Sequence, residues 1–263
     1  MDQNIPTLRF DKAGPLAYLI IDNKERLNAL TRSMWKTLPR LLKEADADPQ
    51  IKVILMRGSG HEAFSAGADI SEFEKNRTGK KVKDYDALNE AAFKALYHVS
   101  KPTIALIEGY CFGGGLGLAI SCDLRFAEEN AVFSIPAARL GLGYPPRMVR
   151  ALISVLPPPR AKDLLFTARK LKAHEAHAFG LVNNVFPLSI FNEETLKIAK
   201  QISENAPLTI KAAKAAINEL TLRPEKPNIK VLEKLVTKCF SSVDYSEGRQ
   251  AFMDKRKAHF LGR

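Results

Sequence analysis

Residues 111–123 read CFGGGLGLAISCD, in which three consecutive glycines precede an apolar segment that carries no charge before Asp123. The stretch predicts a tight glycine turn that opens a helix directly after a buried strand. The first N–H groups of a helix have no partner within it, and the helix dipole favours negative charge beside them. We therefore expect a strand–loop–helix unit whose loop can bind an anionic or polarised group.

A second loop of small residues, AFSAGADI at 63–70, also follows a predicted buried strand. Small residues let a ligand approach the backbone closely, so both loops can offer free amide N–H groups. Two such donors that meet at one oxygen form an oxyanion hole, worth about 3–4 kcal/mol per donor in acyl-transfer chemistry. The two loops together favour stabilisation of a thioester carbonyl as it becomes an enolate.

Two other interpretations of the glycine stretch are weaker. A P-loop needs a lysine and a hydroxyl residue, and a GxGxxG dinucleotide loop needs an acidic residue about twenty positions later. The stretch matches neither pattern. Tight packing of a helix on a strand explains one glycine-rich turn well, but it explains two less well.

Hydrophobic periodicity predicts alternating strands and helices up to about Leu188. A hairpin around a Gly-Pro turn comes first, and Thr31 is expected to cap a helix to about Asp46, with a kink or a restart at Pro39. Repeated strand–strand–helix units indicate a layered α/β fold. Later strands are predicted at 53–58 and 103–109, and a pair of strands at 124–135; later helices are predicted at 84–100, 146–155 and 159–168.

Beyond about Leu188 the sequence predicts helices only. Their apolar faces could pack on the body of the protein or on another subunit. One such face includes Ile210, Ala213, Ala216 and Ile217.

The composition is that of a globular protein with excess positive charge. Of 263 residues, 46% are hydrophobic, and 40 Lys and Arg against 29 Asp and Glu leave a net charge of +11. This charge favours anionic partners. Because no RNA- or DNA-binding module accompanies it, a polyphosphorylated cofactor or a small anionic substrate is favoured over nucleic acid.

No apolar run reaches the roughly 18 residues of a membrane span, and the N-terminus has no secretory or transit pattern. We therefore expect a cytoplasmic protein that does not enter the membrane. Cys111, Cys122 and Cys239 have neither CxxC nor Cys/His spacing, so reduced, buried thiols are expected rather than a disulfide framework or a zinc site.

Six segments, in order and spacing, resemble the enoyl-CoA hydratase/isomerase (crotonase) superfamily. No single segment is decisive, and the resemblance depends on the ordered set, which covers essentially the whole chain. The segments are ERLNAL (25–30), FSAGADI (64–70), IEGYCFGGGLGLAISCDLRFA (107–127), FSIPAARLGLG (133–143), FTARKLKAHEAHAFGLVNNV (166–185) and YSEGRQAFMDKRKAHF (245–260).

The resemblance implies a fold and an oligomer. The fold is a crotonase-like α/β spiral of β-β-α turns over residues 1–200, which holds the acyl-CoA pocket. A helical trimerisation region over residues 201–263 follows it. The expected assembly is a homotrimer or a dimer of trimers.

The resemblance also implies the site. The thioester oxygen of an acyl-CoA substrate would be held by the backbone amides of Ala68 and Gly114. No metal is implied, and no cofactor other than the CoA carried by the substrate, whose phosphates supply a reason for the basic net charge. The CoA portion would lie along Arg26, Leu27, Ala29, Ala66 and Ala68, with Lys255 or Lys257 near its phosphates.

The chain departs from the family pattern at the two positions where hydratases carry catalytic glutamates. Hydratases use two glutamates, one to activate water and one to protonate carbon. The corresponding positions here are Gly117 and Ala137. Because each acid or base group contributes about 10²–10⁴ in rate, standard hydration and simple isomerisation are not expected.

Tyr144 gives a partial resemblance to decarboxylases that act on methylmalonyl-CoA, which carry a tyrosine at the matching place but a histidine where this chain has Ala68. Decarboxylation leaves a thioester enolate and needs no general base, and Tyr144 could orient the carboxylate or guide reprotonation. The alternative for Tyr144 is a loop hydroxyl bonded to backbone. For the whole protein, the alternatives are a catalytically silent acyl-CoA-binding protein and a basic nucleic-acid-binding protein.

Other polar residues near the motifs receive structural interpretations. Glu108 is expected to bond backbone N–H groups, His61 to be solvated, and Asp69 to cap a short helix that begins at residue 70. His174 and His177 could share a metal, but no third ligand lies near them in the sequence.

Overall fold

The computed structural model describes residues 5–72, 81–222 and 224–263. Its strands are β1 (Thr7–Ala13), β2 (Leu16–Asp22), β3 (Val53–Gly58), β4 (Ala63–Ser65), β5 (Thr103–Ile107), β6 (Tyr110–Phe112), β7 (Leu124–Glu128), β8 (Val132–Ser134), β9 (Leu171–Lys172) and β10 (Asn184–Phe186). They form a six-stranded sheet in the order β1-β2-β3-β5-β7-β10 and a four-stranded sheet in the order β4-β6-β8-β9.

Helices surround both sheets. They are α1 (Arg32–Ala47), α2 (Lys81–His98), α3 (Gly114–Ser121), α4 (Pro146–Val155), α5 (Pro158–Thr167), α6 (Ala173–Ala178), α7 (Leu188–Ser203), α8 (Pro207–Leu222), α9 (Ile229–Phe240) and α10 (Val243–Met253). Short 3-10 segments cover Lys24–Arg26, Ile70–Glu72 and Pro136–Leu140.

Three times in succession, the chain contributes one strand to the larger sheet and the next strand to the smaller sheet. β3, β5 and β7 lie side by side in parallel in the larger sheet. β4, β6 and β8, each the next strand along the chain, lie side by side in parallel in the smaller sheet. After each pair the chain passes through helical segments before the next pair begins. This repeat is the β-β-α spiral that the sequence predicts.

Glycines stand where the chain passes from the larger sheet to the smaller one. A Cβ on Gly58, at the end of β3, would lie 2.0 Å from the carbonyl oxygen of Ala63. A Cβ on Gly109, between β5 and β6, would lie 1.9 Å from the carbonyl oxygen of Glu62. Both distances are far inside van der Waals contact, so any larger residue would push β4 away. These glycines allow the close approach of backbone at the start of β4, which leads into the 63–70 loop.

The predicted hairpin and first helix are confirmed. β1 and β2 pair antiparallel through a turn in which Gly14 has a φ of +59°, and the Thr31 hydroxyl accepts the Met34 amide at the start of α1. The alternative of a restart at Pro39 is wrong, because α1 continues through it. The helix tolerates the loss of one backbone donor because its apolar face is buried on both sides of the proline.

Two apolar cores lie on opposite faces of the larger sheet. Ile54 and Met56 of β3 pack in one core, and Val53 and Leu55 pack in the other, because successive side chains of a strand point to opposite faces. Helices α1, α2 and α3 cover the first core, and α7 covers the second through Phe191. Burial on both faces explains the continuous apolar run at 53–56.

In the described segments after β10 the regular structure is helical, as predicted. Helix α7 passes through residue 200, and the division of the chain there stays a prediction. Within the described ranges, no helix is both long enough and apolar enough to cross a lipid bilayer. Helices α8, α9 and α10 expose large apolar side chains, which include Ile217, Leu220, Ile229, Val231, Val236, Phe240, Phe252 and Met253.

Candidate active site

The two small-residue loops meet beside the start of α3. A Cβ placed on Gly67 would lie 3.3 Å from the Gly114 amide nitrogen, and one placed on Gly114 would lie 3.5 Å from the Ala68 amide nitrogen. Gly67 has a φ of +101°, which L side chains rarely adopt. The parallel pairing of β4 with β6 aligns the strands that lead into these loops. The structure thus brings Ala68 and Gly114 together, as the resemblance implies.

Neither of these two amides has an acceptor among the residues that the structure describes. Ala68 forms a parallel bridge with Leu30, in which the Leu30 amide donates to the Gly67 carbonyl at 2.7 Å and the Asp69 amide donates to the Leu30 carbonyl at 3.0 Å. This pattern leaves the Ala68 N–H unused. Gly114 is the first residue of α3, where an amide has no intrahelical partner. Two free donors from separate loops therefore lie at one place.

An apolar wall lies against these loops. Trp35, buried on α1, has its Cζ2 atom 3.1 Å from the position of a Cβ on Gly114, and its ring lies 5.3 Å from the ring of Phe93, centroid to centroid. Farther along α3, a Cβ on Gly117 would lie 3.0 Å from Phe93 Cζ and 2.8 Å from Met148 Cε. The position at which the resemblance implies a hydratase glutamate is therefore enclosed by apolar side chains.

Three buried polar atoms, on α1, on α2 and in the segment before α4, have no hydrogen-bond partner in the described part of the chain. They are Trp35 Nε1, Asn89 Oδ1 and the Tyr144 hydroxyl. A buried unpaired group costs about 1–3 kcal/mol, so each of them is available to a ligand or to water. Burial raises the pKa of Tyr144, whose hydroxyl therefore stays neutral at physiological pH. The alternative of a Tyr144 hydroxyl bonded to backbone is wrong.

Trp35 and Asn89 were not among the sequence candidates. The chain has one tryptophan, and helical periodicity places it on the apolar face of α1, which is a signal for burial. Nothing local indicates that α1 would meet the glycine loop after β6. That contact exists because α1 and α2 pack on the same face of the larger sheet.

The residues of the 23–30 loop that were predicted to line CoA lie beside the 63–70 loop. The Ala66 amide donates to the Leu27 carbonyl at 2.8 Å, and Ala29 in the same segment is buried. Arg26 Nη1 donates to Asp69 Oδ1 at 3.0 Å and to Oδ2 at 3.2 Å. The Arg26 side chain, on the loop predicted to line CoA, is therefore bonded to a carboxylate of the protein itself.

The two C-terminal lysines lie after α10. Lys257 Nζ is 2.6 Å from Glu204 Oε1 at the end of α7, and the Lys255 side chain is exposed. Across the described ranges, neither lysine forms a hydrogen bond or an ion pair with the 23–30 or 63–70 loop. Contact of Lys255 or Lys257 with CoA phosphates stays a prediction.

The prediction that Glu108 bonds backbone amides is wrong for the described residues. Its buried carboxylate accepts from Arg57 Nη2 at 2.6 Å and lies 2.6 Å from His61 Nδ1. The reason is the strand register, which sets Arg57 of β3 opposite Leu106 of β5, close to Glu108. His61 is solvated as predicted, with 68% of its side chain exposed, and it is also held by Glu108. His61 and Leu27 line a cavity of about 470 Å³.

One smaller prediction is confirmed, and another is confirmed in part. Asp69 caps the segment Ile70–Glu72, since its Oδ1 accepts the Ser71 amide at 3.0 Å. Of the three thiols predicted to be reduced and buried, Cys111 and Cys122 are free and buried, whereas Cys239 is free but only half-buried. Burial raises the pKa of Cys111 and of Cys122, that of Cys122 to about 12. Within the described residues, no group of three or more His, Cys, Asp or Glu side chains could hold a metal ion.

Comparison with known protein sequences gives one family. The family model for enoyl-CoA hydratase/isomerase matches residues 11–263. The crotonyl-CoA hydratase of Syntrophomonas wolfei is 33% identical over 255 residues, which cover 96% of this chain and 97% of that protein. The carnitinyl-CoA dehydratase of Salmonella typhi is 30% identical over 261 residues, which cover 98% and 99%.

Solved structures show the same fold. An enoyl-CoA hydratase/isomerase family protein from Hyphomonas neptunium has a TM-score of 0.93 at 37% identity and 100% coverage of both chains. An enoyl-CoA hydratase/carnithine racemase from Magnetospirillum magneticum has a TM-score of 0.91 at 32% identity, with coverage of 97% and 96%. The predicted crotonase-like fold class is confirmed. On a family model that spans nearly the whole chain and relatives that match it from end to end, the protein belongs to the enoyl-CoA hydratase/isomerase family.

Proposed function

We propose that this protein is an acyl-CoA thioester-processing enzyme that stabilises a thioester enolate with the backbone amides of Ala68 and Gly114. The observation that supports it is the meeting of these two amides, from separate loops, without acceptors in the described residues. Negative charge moves onto the thioester oxygen as the enolate forms. Two fixed donors therefore stabilise the transition state more than the ground state.

The proposed reaction does not use carboxylate acid–base catalysis at the two positions where the hydratases have glutamates. Phe93 and Met148 fill the space around Gly117, and Ala137 lies in the segment Pro136–Leu140, where its methyl group cannot exchange a proton. Because each missing group would have contributed about 10²–10⁴ in rate, hydration of crotonyl-CoA should be slow or absent.

A second candidate is decarboxylation of a methylmalonyl-CoA-type substrate, which the unpaired, buried Tyr144 hydroxyl favours. The bond between the α-carbon and the carboxylate breaks, its electron pair forms the enolate, and CO₂ leaves. A proton then adds to the α-carbon. The neutral Tyr144 hydroxyl could donate a hydrogen bond to the departing carboxylate, and the two amides would hold the enolate oxygen.

The test is turnover of crotonyl-CoA and of methylmalonyl-CoA by the wild-type protein and by two variants of Gly114. Gly114→Pro removes the amide hydrogen, and proline is tolerated at the first position of a helix. We expect its kcat to fall about 10²–10³-fold, as for loss of one oxyanion donor. Gly114→Ala is the matched control, since it keeps the N–H and places the same Cβ against Trp35.

The outcomes separate the alternatives. Equal rates for Gly114→Pro and Gly114→Ala would contradict the proposed role of this amide. Acyl-CoA binding without turnover of either substrate would favour the silent acyl-CoA-binding protein. RNA binding that weakens steeply with salt and does not respond to saturating acyl-CoA would favour the nucleic-acid-binding alternative.

The proposal includes a homotrimer or a dimer of trimers as the active assembly. Many large apolar side chains of α8, α9 and α10 are exposed in the single chain. Large exposed apolar patches are typical of protein interfaces, and trimerisation would cover these side chains. Light scattering of the purified protein distinguishes the two assemblies from a monomer, and a monomer would contradict the proposal.

A further inference from the structure

Arg26 and Asp69 connect the two loops that flank the Ala68 amide. Arg26 Nη1 donates to both carboxylate oxygens of Asp69, at 3.0 Å and 3.2 Å, and also contacts Ser71 Oγ. The Asp69 side chain is only 8% exposed, whereas that of Arg26 is 53% exposed. A buried carboxylate, one residue after the proposed oxyanion donor, thus receives its charged partner from the neighbouring loop.

The Asp69 carboxylate is held from both sides. Within its own loop, the Ser71 amide and hydroxyl donate to Oδ1 at 3.0 Å and 2.7 Å. From the 23–30 loop, Arg26 supplies the cation. The backbone of the same region joins Leu30 to Gly67 and Asp69 through the parallel bridge. Among the described residues, Arg26 is the one charged side chain that ion-pairs with Asp69.

We propose that Arg26 is a positioning residue, which fixes the direction of the Ala68 N–H through Asp69 instead of contacting the CoA nucleotide. This inference rests on the proposed function, because it assigns Arg26 to the same oxyanion site. Without the guanidinium, the buried carboxylate keeps only the Ser71 donors, and an unpaired buried charge drives the loop to rearrange. Misplacement of a catalytic group by about 1 Å can cost about 10²-fold in rate.

The positioning role and the CoA-binding role predict different kinetics. A contact with the CoA phosphates acts only on substrates that carry the nucleotide, and its loss raises KM. A positioning role acts on the thioester itself, so it persists when the nucleotide is removed. Acyl thioesters of N-acetylcysteamine, which lack the nucleotide, separate the two.

The first experiment compares Arg26→Met with Arg9→Met on acyl-CoA and on the matching N-acetylcysteamine thioester. Arg9 on β1 is a matched control outside both loops. It pairs with Asp22 at 3.0 Å, and the two side chains are 47% and 11% exposed, similar to the 53% and 8% of Arg26 and Asp69. We expect Arg26→Met to lower kcat about 10- to 100-fold on both substrates, and Arg9→Met to leave it unchanged. Arg26→Lys, which keeps a cation for Asp69, should recover most of the loss. A raised KM for acyl-CoA alone, with kcat unchanged, would overturn the proposal.

The second experiment needs no turnover. Isotope-edited infrared spectra of bound, carbonyl-labelled butyryl-CoA report hydrogen bonding to the thioester oxygen as a lowered carbonyl frequency. We expect the wild type and Arg9→Met to lower the frequency and Arg26→Met to lose part of that shift. An unchanged shift in Arg26→Met would overturn the role of Arg26 alone. Butyryl-CoA that binds to the wild type without any shift would overturn the proposed oxyanion site, and with it this inference.

Discussion

The methyl group of Met148 occupies the space that a side chain at Gly117 would need, since a Cβ built there would lie 2.8 Å from Met148 Cε. Phe93 closes the same space from α2, with two ring carbons at 3.0 Å. The absence of a carboxylate at this position is therefore accompanied by neighbours that fill its place. A side chain at residue 117 would require the flexible end of Met148 and the ring of Phe93 to move.

We predict that Gly117→Glu does not produce crotonyl-CoA hydration and lowers stability by about 1–3 kcal/mol, the usual cost of overpacking. Denaturant unfolding and a hydration assay measure the two effects. Gly143→Glu is the stability control, because a Cβ at Gly143 has nothing within 4 Å. Adding Met148→Ala to Gly117→Glu should restore part of the lost stability. A stable Gly117→Glu variant that hydrates crotonyl-CoA would contradict the inference that Met148 and Phe93 exclude a carboxylate at residue 117.

We predict that Tyr144→Phe leaves stability unchanged or raises it by about 1 kcal/mol, since the hydroxyl it removes is buried without a partner in the described chain. If decarboxylation is the reaction, the same variant should lose about 10- to 100-fold in kcat, the value of one hydrogen bond to a charged group. Thermal unfolding and CO₂ release from methylmalonyl-CoA measure the two quantities.

Tyr97→Phe is the matched control for the tyrosine prediction. Its hydroxyl donates to the Asn218 carbonyl at 3.3 Å, so its removal should lower stability and leave CO₂ release unchanged. Full decarboxylation by Tyr144→Phe would eliminate the role of that hydroxyl.

We predict that acyl-CoA binding changes the intrinsic fluorescence of the protein. Trp35 is the single tryptophan, and its ring lies 3.1 Å from the Cβ position of Gly114, directly against the proposed acyl site. Free CoA, which lacks the acyl group, should change the emission less than butyryl-CoA does. Saturation of the protein with butyryl-CoA, verified by calorimetry, without a change in emission would place the acyl group away from Trp35.

We predict that Cys111 and Cys122 do not react with a thiol reagent in the native protein at neutral pH and react fully after unfolding. Burial raises the pKa of both thiols above the usual value of 9.0, that of Cys122 to about 12. The folded state therefore retains protons that the unfolded chain loses above pH 9, so this contribution to stability is complete below pH 9 and declines as the pH rises towards 12. Cys122→Ala should make the alkaline decline shallower, and an unchanged slope would contradict the assignment.

The sequence was sufficient for the hairpin, the longer strands, most of the helices, the two small-residue loops and the family resemblance, but not for the short strands β4, β6, β9 and β10. Strands and helices follow from hydrophobic periodicity within about ten residues, and the hairpin follows from the Gly-Pro turn. The prediction that Ala68 and Gly114 meet came from the family resemblance. Glu108 was misjudged because its partners, Arg57 and His61, come from another strand and the loop after it.

Patterns along the chain therefore established which loops could carry the chemistry, because glycine placement and helix starts are local properties. Packing in three dimensions decided what surrounds those loops. Trp35 against Gly114, Met148 against Gly117 and Arg26 on Asp69 each join segments that are far apart in the sequence. Such contacts depend on how helices and loops pack on the two sheets. A local pattern of residues does not indicate which distant segments will be in contact.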